Sequence, residues 1–160
     1  MIRLLSSKFK FPSTLKFNLV FLTIFILGLY YSKDYGITWD EDWARVKNGK
    51  QNLAYILKTL NLDNYINIPN DIPKLDVQNV GAYGAFFDVI SVIIEQVFSI
   101  TDKGEIFLMR HKLNFTFYFF GVYLYFLFSK KMFSSKYLSF IGSMFYLLSP
   151  RLLAHGFFNP

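Results

Sequence analysis

The chain contains no cysteine, which excludes disulfides, thiolate nucleophiles and Cys-ligated metals and leaves the redox compartment unread. Histidine is nearly as scarce: His111 and His155 stand 44 positions apart, a spacing that makes no metal site. There is no Ser-His-Asp arrangement, no Gly-rich loop to cradle phosphate and no dinucleotide fingerprint, so soluble-type nucleotide chemistry has no support. Internal repeats and low-complexity tracts are absent too, and residues 1–160 read as a single domain. Acid is missing from two blocks. Residues 1–16 carry Arg3, Lys8, Lys10 and Lys16, and residues 130–136 carry Lys130, Lys131 and Lys136, with no Asp or Glu in either.

What fills the chain is apolar and aromatic. Of its 160 residues 53% are hydrophobic and 21% aromatic, with 20 Phe and 11 Tyr and a net charge of +6. The apolar residues gather into long runs, which makes a bilayer the solvent for part of the chain. Basic-only blocks alternate with a mixed block, residues 33–112, that holds all eleven acids. That layout follows the positive-inside rule. Apolar spans separate the cations, so a nucleic-acid surface is not expected.

The expectation is an all-α membrane protein of about three transmembrane helices, at 17–32, 113–129 and 137–153. The first covers about 24 Å and the second about 26 Å, and Ser149-Pro150-Arg151 interrupts the third, where proline bends or ends a helix. A basic segment before the first run resembles a signal peptide, but no small-x-small cleavage site follows it. The N-terminus is then cytoplasmic and the long loop 33–112 lies outside. Within that loop the spacing predicts a short helix in Trp39–Leu60 and an amphipathic helix over Phe86–Thr101. In the latter, Phe86, Phe87, Ile90, Ile93, Ile94, Val97 and Phe98 face one way, and Asp88, Ser91, Glu95, Ser99 and Asp102 the other. Two carboxylates argue against a lipid-facing span; an interfacial helix, or one with its acids toward a wet cavity, fits better.

Three constellations share the outer side. Asp40-Glu41-Asp42 follows the first span: one carboxylate suits a general base, and an Asp-x-Asp pair suits a divalent cation. A hydrated acidic helix N-terminus is the plain alternative. Arg110-His111-Lys112 is either an interfacial anchor or a phosphate site with Arg as the fork-shaped donor. Arg151 and His155, four apart, share a helix face and could hold a lipid phosphate and its sugar.

With those residues in view, the chain resembles the N-terminal part of a GT-C-type membrane glycosyltransferase, nearest to the protein O-mannosyltransferase and aminoarabinose transferase group. The resemblance rests on Gly36-Ile37-Thr38-Trp39-Asp40-Glu41, Tyr83-Gly84-Ala85-Phe86-Phe87-Asp88, Arg110-His111-Lys112-Leu113-Asn114-Phe115 and the stretch Ser149 to Pro160. It implies sugar transfer from a polyprenyl-phosphate donor to an acceptor on the outer side of a bacterial inner (plasma) membrane. Asp40 would be the catalytic base and Glu41 its neighbour. Arg110, His111, Arg151 and His155 would lie toward the donor phosphate, and Asp42 would be the option for a divalent metal ion. Such enzymes resemble one another in having roughly a dozen spans, so the expectation is a fragment whose remaining helices come from elsewhere, such as a partner chain. The competing reading is a non-catalytic three-span scaffold or assembly subunit.

Overall fold

The computed structural model describes residues 13–38, 45–62 and 85–158, and every element among them is helical: α1 (Ser13–Tyr31), a single 3-10 turn (Ser32–Asp34), α2 (Val46–Thr59), α3 (Ala85–Val97), α4 (Lys103–Phe133), α5 (Lys136–Leu147) and α6 (Pro150–Phe158). The helix ends are chemically marked. Asp102 accepts a hydrogen bond from the Glu105 amide at 3.1 Å and starts α4, and Ser135 does the same for Leu138 in α5. Asn61, Ser99 and Ser134 adopt positive φ just after α2, α3 and α4. The Leu62 and Ile100 amides reach back to the Leu57 and Glu95 carbonyls, so α2 and α3 close on orphan carbonyls with a left-handed residue.

The organising element is α4. Its 31 residues extend about 46 Å, and α1, α3, α5 and α6 all pack on it. The paired rings make α1 antiparallel to it: Phe17 meets Phe126, Phe21 meets Phe119 and Tyr123, and Phe25 meets Phe115. At the crossing, a Cβ on Gly28 would sit 1.9 Å from the Phe115 ring; only glycine leaves room for that ring against the α1 backbone. After the Ser134 turn, α5 returns along α4, with Gly142 beside Tyr125 and Tyr146 beside Tyr118. The Tyr118 hydroxyl hydrogen is shared between the Leu147 carbonyl at 2.8 Å and the Tyr146 carbonyl at 3.1 Å, which also accepts the Ser149 amide at the end of α5.

These pairings sort the ends. Phe17 touches Tyr137 and Phe140 as well as Phe126, and Lys130 lies over the Phe126 ring. Lys16, Lys130, Lys131 and Lys136 therefore belong to one end of the bundle. The C-terminal end of α1, residues 110–118 of α4 and all of α6 belong to the other.

Several expectations change in detail. The run expected at 113–129 begins ten residues earlier, at Lys103, so Arg110-His111-Lys112 lies inside a helix and does not flank one. The run expected at 137–153 is two helices: α5 stops at Leu147, and Pro150 occupies the first position of α6, where its missing N–H costs nothing. With 12 residues α5 extends about 18 Å, short of a ~30 Å hydrocarbon core. Among the described residues one helical stretch, Leu15–Asp34, is both long and apolar enough to cross a membrane. The short helix expected in Trp39–Leu60 is α2, from Val46, and residues 39–44 lie outside the described residues.

Candidate functional site

The densest polar chemistry lies where α2 and α3 meet the first third of α4. Helix α3 carries Asp88, Ser91 and Glu95 on one face, and all three are buried, while Phe86, Val97 and Phe98 on the other are each more than 70% exposed. The helix expected over 86–101 ends at Val97; within it the polar face read from the sequence points inward, while Ser99 and Asp102, expected on that face, lie beyond its end and are exposed. The inward face does not meet a wet cavity: Asp88 is 0% and Glu95 5% exposed.

Arg110 answers both acids. Its Nε donates to Glu95 Oε1 at 2.9 Å, and its Nη1 lies 3.5 Å from Asp88 Oδ1. Asn48 Nδ2 donates to the other Asp88 oxygen at 3.1 Å. Asn52 in turn donates to the Asn48 side-chain oxygen at 2.8 Å and holds that amide in place. A Cβ on Gly49 would come within 2.6 Å of the Asp88 carbonyl oxygen, so α2 and α3 are in backbone contact beside the cluster. Leu53, Leu57 and Val92 form a small apolar core next to it.

Burial is the largest influence on Asp88 and pushes its carboxyl above the usual carboxylate range. The Asn48 hydrogen bond and the charges of Arg110 and Arg45 pull it back, and Glu95 adds to the rise. Two acids and two cations are balanced in charge. Removing any one would leave a buried charge uncompensated. Arg110 Nη2 has no hydrogen-bond partner among the described residues.

The sites expected from the sequence divide around this cluster. Asp40, Glu41 and Asp42 lie outside the described residues. Arg110 is 1% exposed, and two of its donors are engaged by Asp88 and Glu95. His111 is buried as well. Arg151 and His155 share the exposed face of α6, and the His155 backbone carbonyl accepts a 2.6 Å hydrogen bond from Asn114 of α4. The structure thus brings Arg151 and His155 together and sets them apart in character from Arg110. Among the described residues no group of His, Asp and Glu is placed to hold a metal ion.

Sequence reasoning missed Asn48, Asn52 and Asn114. Neutral amides have no periodic signature; the one available signal was that Asp88 and Glu95, seven apart on one helix face, need a buried cation opposite.

The Tyr35 ring stacks on Phe157 with centroids 4.4 Å apart and planes 8° apart, and Phe157 stacks on Phe115. The chain leaving α1 is therefore tied to α6 five residues before Asp40. Comparison with family models, curated proteins and solved structures finds no match for this chain.

Proposed function

We propose that this chain forms the outer-side edge of a membrane glycosyltransferase that takes its sugar from a polyprenyl-phosphate donor. The observation that carries the reading is the Tyr35–Phe157 stack. It holds Tyr35, five residues before Asp40, against the helix that exposes Arg151 and His155, which supports a base and a cationic face acting at the same end of the bundle. The gathering of Lys16, Lys130, Lys131 and Lys136 at the opposite end supports a cytoplasmic N-terminus. The exposed apolar faces of α1, α4 and α5 support three passes in a plasma membrane of the bacterial type, the third completed by α6 beyond the Pro150 break.

In this mechanism the Asp40 carboxylate takes the proton of an acceptor hydroxyl as its oxygen attacks the anomeric carbon. The bond from that carbon to the phosphate oxygen breaks, and the electron pair leaves with the phosphate. Arg151, exposed and on the same face as His155, stabilises the departing anion, while the negative charge of Glu41 beside Asp40 makes that carboxylate a stronger base. Asp42 is the residue available to a divalent cation. Further helices, from a partner chain or a longer form of this one, supply the rest of the donor pocket.

With those helices present, Asp40→Asn is expected to lower sugar transfer about 10²–10⁴-fold without changing membrane insertion. Undiminished transfer overturns the assignment. A second reading, a non-catalytic scaffold subunit, draws support from the closed Arg110–Glu95–Asp88 cluster, which joins helices and leaves little room for a ligand. In that case Asp40→Asn changes nothing and Arg110→Met disrupts assembly.

A further inference from the structure

We propose that α3 is an oblique interfacial anchor, its outward apolar face seated in the lipid of the outer leaflet with the Phe86 end deeper than the Phe98 end. The inference rests on the membrane placement given above but not on the transferase chemistry. Three observations carry it.

The polarity of α3 is reversed relative to a helix on a water-soluble protein: Asp88, Ser91 and Glu95 are inside, and Phe86, Ile93, Val97 and Phe98 are outside. Arg110 and Asn48 satisfy the inward polar groups, so the helix has no remaining need for water along that face. The outward face is also continuous with that of α4. Phe86 and Phe87 contact Phe117, itself exposed, at ring separations of 6.4 and 6.1 Å.

The third observation sets the slant. Phe117 lies seven residues beyond Arg110 along α4, about 10 Å deeper along that helix. At its other end α3 turns through Ser99 into the start of α4 at Lys103, on the far side of Arg110. An apolar face sunk about 5–10 Å into the headgroup–acyl boundary is the usual seat of an interfacial helix.

The absence of cysteine allows a clean test. Phe86→Cys, Phe98→Cys and Lys47→Cys, each exposed positions, are labelled singly with a nitroxide in the full chain reconstituted into lipid bilayers. Collision rates with oxygen, which concentrates in lipid, are compared with those of a water-soluble nickel chelate. Oxygen collisions are expected to exceed nickel collisions at 86 and 98, with the larger excess at 86, and the order to reverse at 47. Nickel excess at 86 and 98 would place α3 in water, and low rates with both reagents would mean that protein covers it. Either overturns the proposal, as does an equal excess at 86 and 98. Sugar transfer plays no part in the readout, so the transferase reading stands or falls separately on Asp40→Asn.

Discussion

The two ends of α4 are one continuous helix held by different means. From Lys103 to Asn114 it offers Arg110 and Asn114 to neighbouring helices, and the contacts are charged or hydrogen-bonded. From Phe115 to Phe126 it offers Phe115, Phe119, Val122 and Phe126, and apart from the Tyr118 and Tyr123 hydroxyls the contacts are rings at van der Waals distance. A buried charge must be answered or it becomes a large penalty, so the first end is all-or-none. Ring packing can be degraded by degrees, because each contact is small and many remain.

The sharpest way to break this contrast is Arg110→Met. Asp88 and Glu95 are then left buried with one fewer cation, a loss of about 3–5 kcal/mol. Amide exchange is expected to rise across residues 85–97 and 46–59 while 115–133 and 15–31 stay protected. Equal loss at both ends would show that they are one cooperative unit. A smaller effect is expected at the other end from Gly28→Ala, whose new methyl meets the Phe115 ring. It costs about 1–3 kcal/mol, read as a lower unfolding midpoint in detergent with α2 and α3 still protected.

The smallest effect is in pH. The Asp88 carboxyl is raised above its unfolded value by burial, so its contribution is fully present below about pH 4, the unfolded carboxylate range. It is lost as pH rises through the folded value. The stability of the natural chain relative to Asp88→Asn is therefore expected to fall as pH rises from about 4, measured by unfolding midpoints of the two proteins across that range. A difference that grows with pH would mean that Arg110 outweighs burial.

How much of this was legible in the sequence depends on whether the signal is local. The uncharged run expected at 17–32 lies within α1 as far as Tyr31, although the helix starts four residues earlier at Ser13; uniform apolarity needs no partner to be recognised. Both faces of α3 were legible from 3.6-residue spacing, and the direction of the inward face was not, since that depends on Arg110, 15 and 22 residues away. The first ten residues of α4 do not stand out in the sequence as a helix because Lys103, Glu105, Arg110 and Lys112 interrupt the apolar run. Yet Asp102 and Glu105, three apart, are a helix-start signature that was available. Pro150 was read correctly as an interruption, and its role in opening a new helix follows from the same missing N–H. Of the candidate site, the shared face of Arg151 and His155 was legible from their spacing. The engagement of Arg110 was not, because nothing along a chain records which side chain a distant helix brings to it.

The Arg110–Asp88 contact also has a consequence for biosynthesis. At about 5–20 residues per second, Arg110 leaves the ribosome about 1–4 s after Asp88, the 22 residues between them setting the delay. The first helix, apolar on every side, can enter a bilayer alone in that time, but α3 with two unanswered carboxylates cannot. The two carboxylates of α3 therefore gain their Arg110 partner only once the first third of α4 has been made.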